Sequence, residues 1–270
     1  MIIQNEDTEK LKLIEYFEYN KVMDNIEKNY EDFISTVSHE LRTPLTSIRG
    51  FSQTMLSSWN KLDDDSKKKF IKIIEEQSNR LIHLVENMLS VTKLQSSDNN
   101  YVFNELNIKS PVEQIISIVK NQYPAHNFDF QYRENLPNIF VDKDKFQQIM
   151  TNLIENSAKY SPENSLTAIK TSIDNNSVIL EISNLGIGIE EKDYEKIFTK
   201  FARIDNPLTR KVQGSGLGLF ITKNLVEKMD GKISVASTPL DDNSGLSLIT
   251  FKVSFPVRTL EEQARIKCSQ

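Results

Sequence analysis

His39 stands in the run Ser38-His39-Glu40-Leu41-Arg42-Thr43-Pro44-Leu45, where several neighbouring side chains can do chemistry together. At about 100° of rotation per residue, Tyr30, Phe33, Val37, Leu41, Leu45, Ile48, Phe51 and Met55 fall on one apolar helical stripe. His39 lands almost opposite the centre of that stripe, with Thr43 one turn above it and Ser35 one turn below. A neutral imidazole is a good nucleophile near neutral pH when one ring nitrogen is free and the other is oriented. Glu40 adds a carboxylate able to accept a proton or orient the ring. A histidine held this way, facing solvent beside an acid, suits a reaction with a group delivered from outside the helix.

A second set of residues suits a phosphorylated ligand. Asn152, Asn156 and Lys159 share one helical face at i, i+4 and i+7. Two amides and an ammonium can hold a metal–phosphate complex, because Mg²⁺ takes few protein ligands and keeps phosphates and water. Asn184-Leu185-Gly186-Ile187-Gly188-Ile189 reads as a strand running into a glycine turn, where backbone can approach a flat ligand closely. In Ile197-Phe198-Thr199-Lys200-Phe201-Ala202-Arg203 the phenylalanines are by default core, and Arg203 is the member able to reach a phosphate. Gly214-Ser215-Gly216-Leu217-Gly218-Leu219-Phe220 opens a helix, whose N-terminal amides form an anion site. No Gly-Lys-Ser/Thr follows and no dinucleotide-fold strand precedes it, so it is neither a P-loop nor a Rossmann turn.

The elements that must position these residues follow from periodicity. One helix is predicted from about residue 8 to about residue 57, with a bend at Pro44. Lys61 to Ser66 reads as a turn. A second helix carries Phe70, Ile73, Ile74, Gln77, Leu81, Leu84, Val85 and Met88 on its stripe, with His83 on the surface. Such a hairpin cannot bury its stripe by itself, so a dimeric four-helix bundle is expected. The polar stretch Gln95 to Asn100 is the best domain boundary. Beyond it, Ser110-Pro111 suggests an N-cap and first helical residue, opening a helix to about Gln122. Strands are expected at Phe128 to Tyr132, Lys232 to Ser237 and Leu248 to Phe255. A hairpin is expected from Leu166 to Ile173 and Val178 to Ser183, through Asn175-Asn176. Helices are expected at Asp144 to Lys159, Glu190 to Phe201 and Gly216 to Met229. The fold class is α+β: the helical hairpin, then an α/β sandwich with a mixed sheet covered on one face by helices. Segments 1–34, 35–97, 101–257 and 258–270 mark out a leading helix, the hairpin, the sandwich and a tail.

Composition narrows the function classes. The 270 residues are 38% hydrophobic and 26% charged, as in globular proteins, and leave room for two domains. A net charge of −5 without a dense basic stripe argues against nucleic-acid binding. The single cysteine, Cys268, excludes an internal disulfide and a cysteine metal site, and fits a reducing cytoplasm. Polar residues follow Met1-Ile2-Ile3 at once, and no apolar window is long enough to span a bilayer. No membrane contact is expected within this chain, although a membrane-bound sensor could be a partner or a missing segment.

The eight-residue string around His39 resembles the phosphoacceptor box of sensor histidine kinases. The four later motifs, in their order, resemble the N, G1, F and G2 boxes of the histidine-kinase catalytic domain, of the ATP-binding superfamily shared with gyrase and the mismatch-repair ATPases. The resemblance spans about residues 30 to 256. It implies that 1–34 is a signalling helix, 35–97 the dimerisation and histidine phosphotransfer domain, and 101–257 the ATP-binding domain. His39 would be the phosphoacceptor, Glu40 the neighbouring acid/base, and Thr43 the residue placing water for dephosphorylation of a partner. Asn156 would bind Mg²⁺, with Asn152 and Lys159 near the phosphates, Tyr160 against the adenine and Asn184 accepting from its amine. Gly186, Gly188, Ile189, Phe198, Phe201, Gly214, Gly216, Leu217, Gly218 and Leu219 would complete the nucleotide site. Residues 204–213 would cover it as a lid, and Arg203 would meet the γ-phosphate. The implied activity is autophosphorylation of a homodimer on His39 with ATP, followed by transfer to an aspartate of a response-regulator receiver domain. A catalytically weakened nucleotide-binding scaffold and an enzyme acting mainly as a phosphatase are the alternatives.

Two features depart from the family pattern, Asn184 and the stretch Gly245 to Leu248, and Asn152 marks a favourable difference from gyrase-like ATPases. Asn184 replaces the family's usual Asp, keeping an acceptor but losing its charge. That loss is worth about 1 kcal/mol, roughly five-fold in affinity. Gly245-Leu246-Ser247-Leu248 stands where two glycines are common, implying a looser edge. Asn152 replaces the general-base Glu of gyrase-like ATPases, which favours transfer to histidine over hydrolysis.

Overall fold

The computed structural model describes residues 34–95, 101–202, 215–240 and 245–268. The chain divides into two compact units, 1–85 and 86–270, and the division falls within the second helix.

In the first unit, helix α1 occupies residues 34–58 and runs through Pro44 without a break. The expected portion before residue 34 lies outside the described residues. Helix α2, Asp64–Gln95, starts inside the turn expected over Lys61 to Ser66. Asp63 is the reason: its Oδ1 accepts from Ser66 N at 2.6 Å, and that bond holds its carboxyl below the usual range. Asp64 and Asp65 then sit in the first turn, where the helix dipole favours them. The hairpin closes through Phe51 and Phe70, whose rings lie 5.1 Å apart. Its inward stripe passes through Pro44, Met55 and Leu84, while Leu45 and Val85 are 52% and 45% exposed. Both residues were expected on the packed stripe. The two-helix contact needs only the narrow inner strip, and they fall outside it.

In the second unit, a five-stranded mixed sheet has the order β2-β4-β5-β7-β6. Its strands are β2 Asn127–Gln131, β4 Leu166–Asp174, β5 Ser177–Ile187, β6 Lys232–Pro239 and β7 Leu246–Pro256. Only β2 and β4 pair in parallel. Asn175 and Asn176 both take positive φ between β4 and β5, as a two-residue hairpin turn requires. One face of the sheet is buried: Leu180 and Ile182 of β5 flank the part-exposed Glu181, and Phe251, Val253 and Phe255 of β7 alternate with more exposed residues. Helices α3 Lys109–Gln122, α4 Lys143–Lys159 and α5 Gly218–Lys228 cover that face. Phe146, Ile149, Met150, Leu153 and Ile154 of α4 are fully buried, and Phe146 meets Phe255 at 5.9 Å.

Several sequence expectations are corrected here. Helix α3 begins at Lys109, so Ser110 is not its N-cap; Ile108 holds that position without a side-chain bond. Pro111 fits in the first turn because its missing N–H has no partner to lose there. The segment from Glu190 to Phe201 is not a helix but two 3₁₀ turns, Glu191–Asp193 and Lys196–Phe198. Thr199 is extended and Phe201 has φ 58°, so the backbone cannot continue helically. Gly216, at φ +67°, likewise stays outside α5.

A two-stranded sheet, β1 Phe103–Leu106 with β3 Ile139–Asp142, and helix α6 Leu260–Cys268 were not anticipated. Thr259 and Glu262 form a reciprocal capping box on α6, with Thr259 N donating to Glu262 Oε2 at 2.8 Å. Beside β3, Asp142 caps α4 by accepting from Asp144 N and Lys145 N, each at 3.0 Å. Burial, with the Asp142 charge as a second cause, pushes the Tyr101 hydroxyl up to about 12. Tyr101 Oη is buried and has no hydrogen-bond partner among the described residues. Tyr101→Phe is therefore expected to raise the unfolding free energy by about 1 kcal/mol, read from urea midpoints. A clear loss would mean the hydroxyl is satisfied in solution.

Candidate functional site

The described chain presents two sites, one in each unit. On α1, His39 and Thr43 are both exposed, and Thr43 Oγ1 donates to His39 O at 3.3 Å. That bond to the carbonyl one turn back fixes the threonine hydroxyl on the histidine's face of the helix. Glu40 is held from the partner helix: Arg80 Nη2 of α2 donates to its Oε2 at 3.1 Å, and both side chains are mostly sheltered. The acid neighbouring His39 is thus positioned by the hairpin partner helix, through a residue that no local motif marks. His83 is exposed, as expected for a surface histidine.

In the second unit, α4, the end of β5 and the start of α5 bring the other motifs together. Asn152 Nδ2 donates to the buried Thr222 Oγ1 at 2.8 Å, which ties α4 to α5. Asn156 Nδ2 reaches Asn152 Oδ1 at 3.4 Å, so Asn156 turns its own carbonyl oxygen away from Asn152. Gly218 packs directly on Asn152, whose Oδ1 would collide with any Cβ at that position. Asn152 therefore braces two helices, and Asn156 is the amide with an oxygen to spare. Lys159 lies 5.8 Å from the ring of Tyr160, which is 36% exposed.

Gly216 lies against Phe201: a Cβ there would come within 2.7 Å of the Phe201 backbone. Leu217 is fully buried behind this contact and Leu219 is half-buried. Phe198 is 5% exposed and meets Phe251 edge-on at 6.4 Å, so it serves the core. Ile189 N donates to Ser237 Oγ at 3.1 Å, anchoring the glycine turn to β6. Gly188 packs on Ser247, whose Oγ would lie 2.6 Å from a Cβ at 188. Ser247 is 5% exposed. This edge, expected to be loose, is instead filled by the serine that replaces glycine. Arg203, Gly214 and the segment 204–213 lie outside the described residues.

Asn184 is 3% exposed at the bottom of this corner. Its Nδ2 donates to Ser161 Oγ at 2.9 Å and to Leu185 O at 3.0 Å, leaving Oδ1 to accept from a ligand. Behind it runs a buried polar chain: Thr167 Oγ1 donates to Ser157 Oγ at 2.9 Å and lies 2.7 Å from His126 Nε2. Burial holds the His126 imidazole below its ordinary pKa. A depressed histidine favours the neutral fold, so its contribution is complete above about pH 6.5 and is lost as pH falls below that value. Between pH 7.5 and 5.5 the wild type should lose more urea stability than His126→Gln; equal losses would contradict this.

These residues fit a nucleotide carrying its own metal ion. Among the described residues no cluster of His, Cys, Asp and Glu could hold a metal. A single amide oxygen suits Mg²⁺ only when phosphates and water supply its other ligands.

Comparison with known proteins agrees with this division. Residues 30–97 match the His Kinase A (phospho-acceptor) domain. Residues 141–258 match the histidine kinase-, DNA gyrase B-, and HSP90-like ATPase family. The signal transduction histidine-protein kinase ArlS of Staphylococcus haemolyticus is 31% identical over 240 residues, covering 88% of this chain and 51% of that protein. The chain thus spans about half the length of the curated relatives it matches. Histidine kinase ThkA, solved in complex with the response regulator protein TrrA, aligns with TM-score 0.62 at 23% identity, over 83% of this chain and 61% of that one. Full-length ShkA in complex with AMPPNP aligns with TM-score 0.58 at 23% identity, over 83% and 45%. At these identities the two structures speak for the fold.

Proposed function

The chain belongs to the sensor histidine kinase family of two-component systems, and from that premise we propose that it phosphorylates itself on His39 with ATP. The observation that carries this reading is the exposed imidazole of His39, beside a Glu40 carboxylate fixed by Arg80. A lone pair on one ring nitrogen attacks the γ-phosphorus. The bond from that phosphorus to the β–γ bridging oxygen breaks, and ADP leaves with those electrons. The proton on the other ring nitrogen passes to Glu40.

Phosphoryl transfer of this kind rests on positioning and charge stabilisation. Asn184 Oδ1 would accept from the adenine amine, with Tyr160 against the ring. The amides at the start of α5, Lys159 and Arg203 would receive the phosphates. Asn156 would help hold a Mg²⁺ ion, which would supply neutralisation of phosphate charge. Asn152 in place of a general base, occupied in bracing α4 to α5, leaves water without an activating carboxylate at that position.

The phosphohistidine would then pass its group to an aspartate of a receiver domain, and Thr43 would place water for the opposing phosphatase action. We assign residues 35–97 to dimerisation and phosphotransfer and 101–257 to ATP binding, supported by the matches at 30–97 and 141–258. A homodimer is favoured by apolar residues left exposed on the hairpin. Ile34, Leu45 and Leu56 of α1 recur every eleven residues, a helical face in register, and Ile71 and Ile82 of α2 repeat that spacing. Among the described residues no helix is long and apolar enough to cross a membrane. We place this catalytic portion in the cytoplasm, where ATP and receiver domains meet it.

The test is transfer. Chain labelled with γ-labelled ATP, freed of nucleotide and mixed with a purified receiver domain, should lose label as the receiver gains it. Label that stays on the chain with every receiver domain offered, across a panel of them, would count against phosphorelay output.

A further inference from the structure

We propose that Ser161 is a positioning residue for base selection, fixing which end of the Asn184 amide meets the nucleobase. The inference rests on the nucleotide-site reading above and deepens it.

Two backbone carbonyls set the polarity. Leu185 O lies 3.0 Å from one end of the Asn184 amide, and a carbonyl only accepts, so that end is Nδ2. Ser161 Oγ lies 2.5 Å from Ser157 O and 2.8 Å from Leu185 O. Its single proton goes to one of these carbonyls, and a lone pair remains to accept from Nδ2 at 2.9 Å. Reversing the amide would set Oδ1 against Leu185 O and against a hydroxyl whose proton is already committed. Oδ1 is left for the ligand: it has no partner among the described residues, and it is not sealed from solvent.

The chemistry of residue 184 makes this orientation matter. A carboxylate accepts at both oxygens, so it reads an exocyclic amine whichever way it turns. A primary amide is ambivalent: with Oδ1 outward it accepts from the adenine amine, and with Nδ2 outward it donates to the guanine carbonyl. With Asn at this position, the choice between adenine and guanine depends on what holds the amide. Ser161 immediately follows Tyr160 at the end of α4, so the same turn that places the aromatic ring also orients the amide.

Calorimetric titration of the full chain with ADP and with GDP tests this. Wild type should prefer ADP by at least about ten-fold, or about 1.4 kcal/mol. Ser161→Ala, which leaves Leu185 O alone to hold the amide, should lower that preference clearly, and Ser161→Thr, which restores a hydroxyl, should recover it. In an Asn184→Asp background, Ser161→Ala should leave the preference unchanged, because a carboxylate has no wrong way round; this double-mutant arm also excludes general loosening of the site. A Ser161→Ala variant that weakens both nucleotides in proportion, or affects neither, overturns the assignment. So does an equal change in the Asn184→Asp background. Should the wild type bind neither nucleotide, the nucleotide-site reading fails first and the assignment falls with it.

Discussion

A chain carrying Gln in place of His39 is expected to bind ADP with wild-type affinity and unfold at the wild-type temperature, yet take up no label from γ-labelled ATP. The first two expectations follow from exposure. His39 lies on the outer face of α1, and among the described residues its side chain makes no hydrogen bond; only its backbone carbonyl meets a side chain, accepting from Thr43. Gln is a good helix former, and surface changes of this kind stay within about 0.5 kcal/mol. The third follows from chemistry, because an amide nitrogen has no available lone pair for phosphorus. Residual label at more than a trace would place the acceptor elsewhere.

Gly216→Ala is expected to reduce nucleotide affinity by at least about thirty-fold, or about 2 kcal/mol. Two effects act at that position. The backbone has φ +67°, where a Cβ costs roughly 1–2 kcal/mol. The new Cβ would also press within 2.7 Å of the Phe201 backbone, which is itself at φ 58° and cannot easily give way. Relief requires the loop before α5 to lift from Phe201, misplacing the amides that would receive phosphate. Gly245→Ala separates the two effects, since Gly245 has φ +69° but nothing within 4 Å of its Cβ position. It should lose stability from backbone strain while leaving affinity near that of the wild type. Equal affinity losses in the two variants would remove the Phe201 contact from the explanation.

What the sequence disclosed depended on range. The outward face of His39, the Asn175-Asn176 hairpin and the strands of the large sheet follow from spacing within a few residues, and they stand as expected. The strands β1 and β3 escaped because each is four residues long, and β3 is buried throughout, so it shows no alternation. The capping box at Thr259 and Glu262 is a local signal for α6. The helix expected over Glu190 to Phe201 failed for a tertiary reason: Phe198 turns into the core and Phe201 takes a left-handed backbone against Gly216. In the candidate site, the motif residues could be named from their order, but their supports could not. Arg80 meets Glu40 across forty residues, and Thr222 meets Asn152 across seventy. Ser161 reaches Asn184 across twenty-three. No local pattern encodes those contacts.

The central claim is that this chain makes phosphohistidine at position 39. The direct measurement is to label the wild-type chain with γ-labelled ATP and Mg²⁺, test the label's stability in acid and in base, and map it to a peptide under neutral conditions. Acid-labile, base-stable label confined to the peptide containing His39 is the predicted result. Acid-stable label, or label on any other peptide, would contradict it.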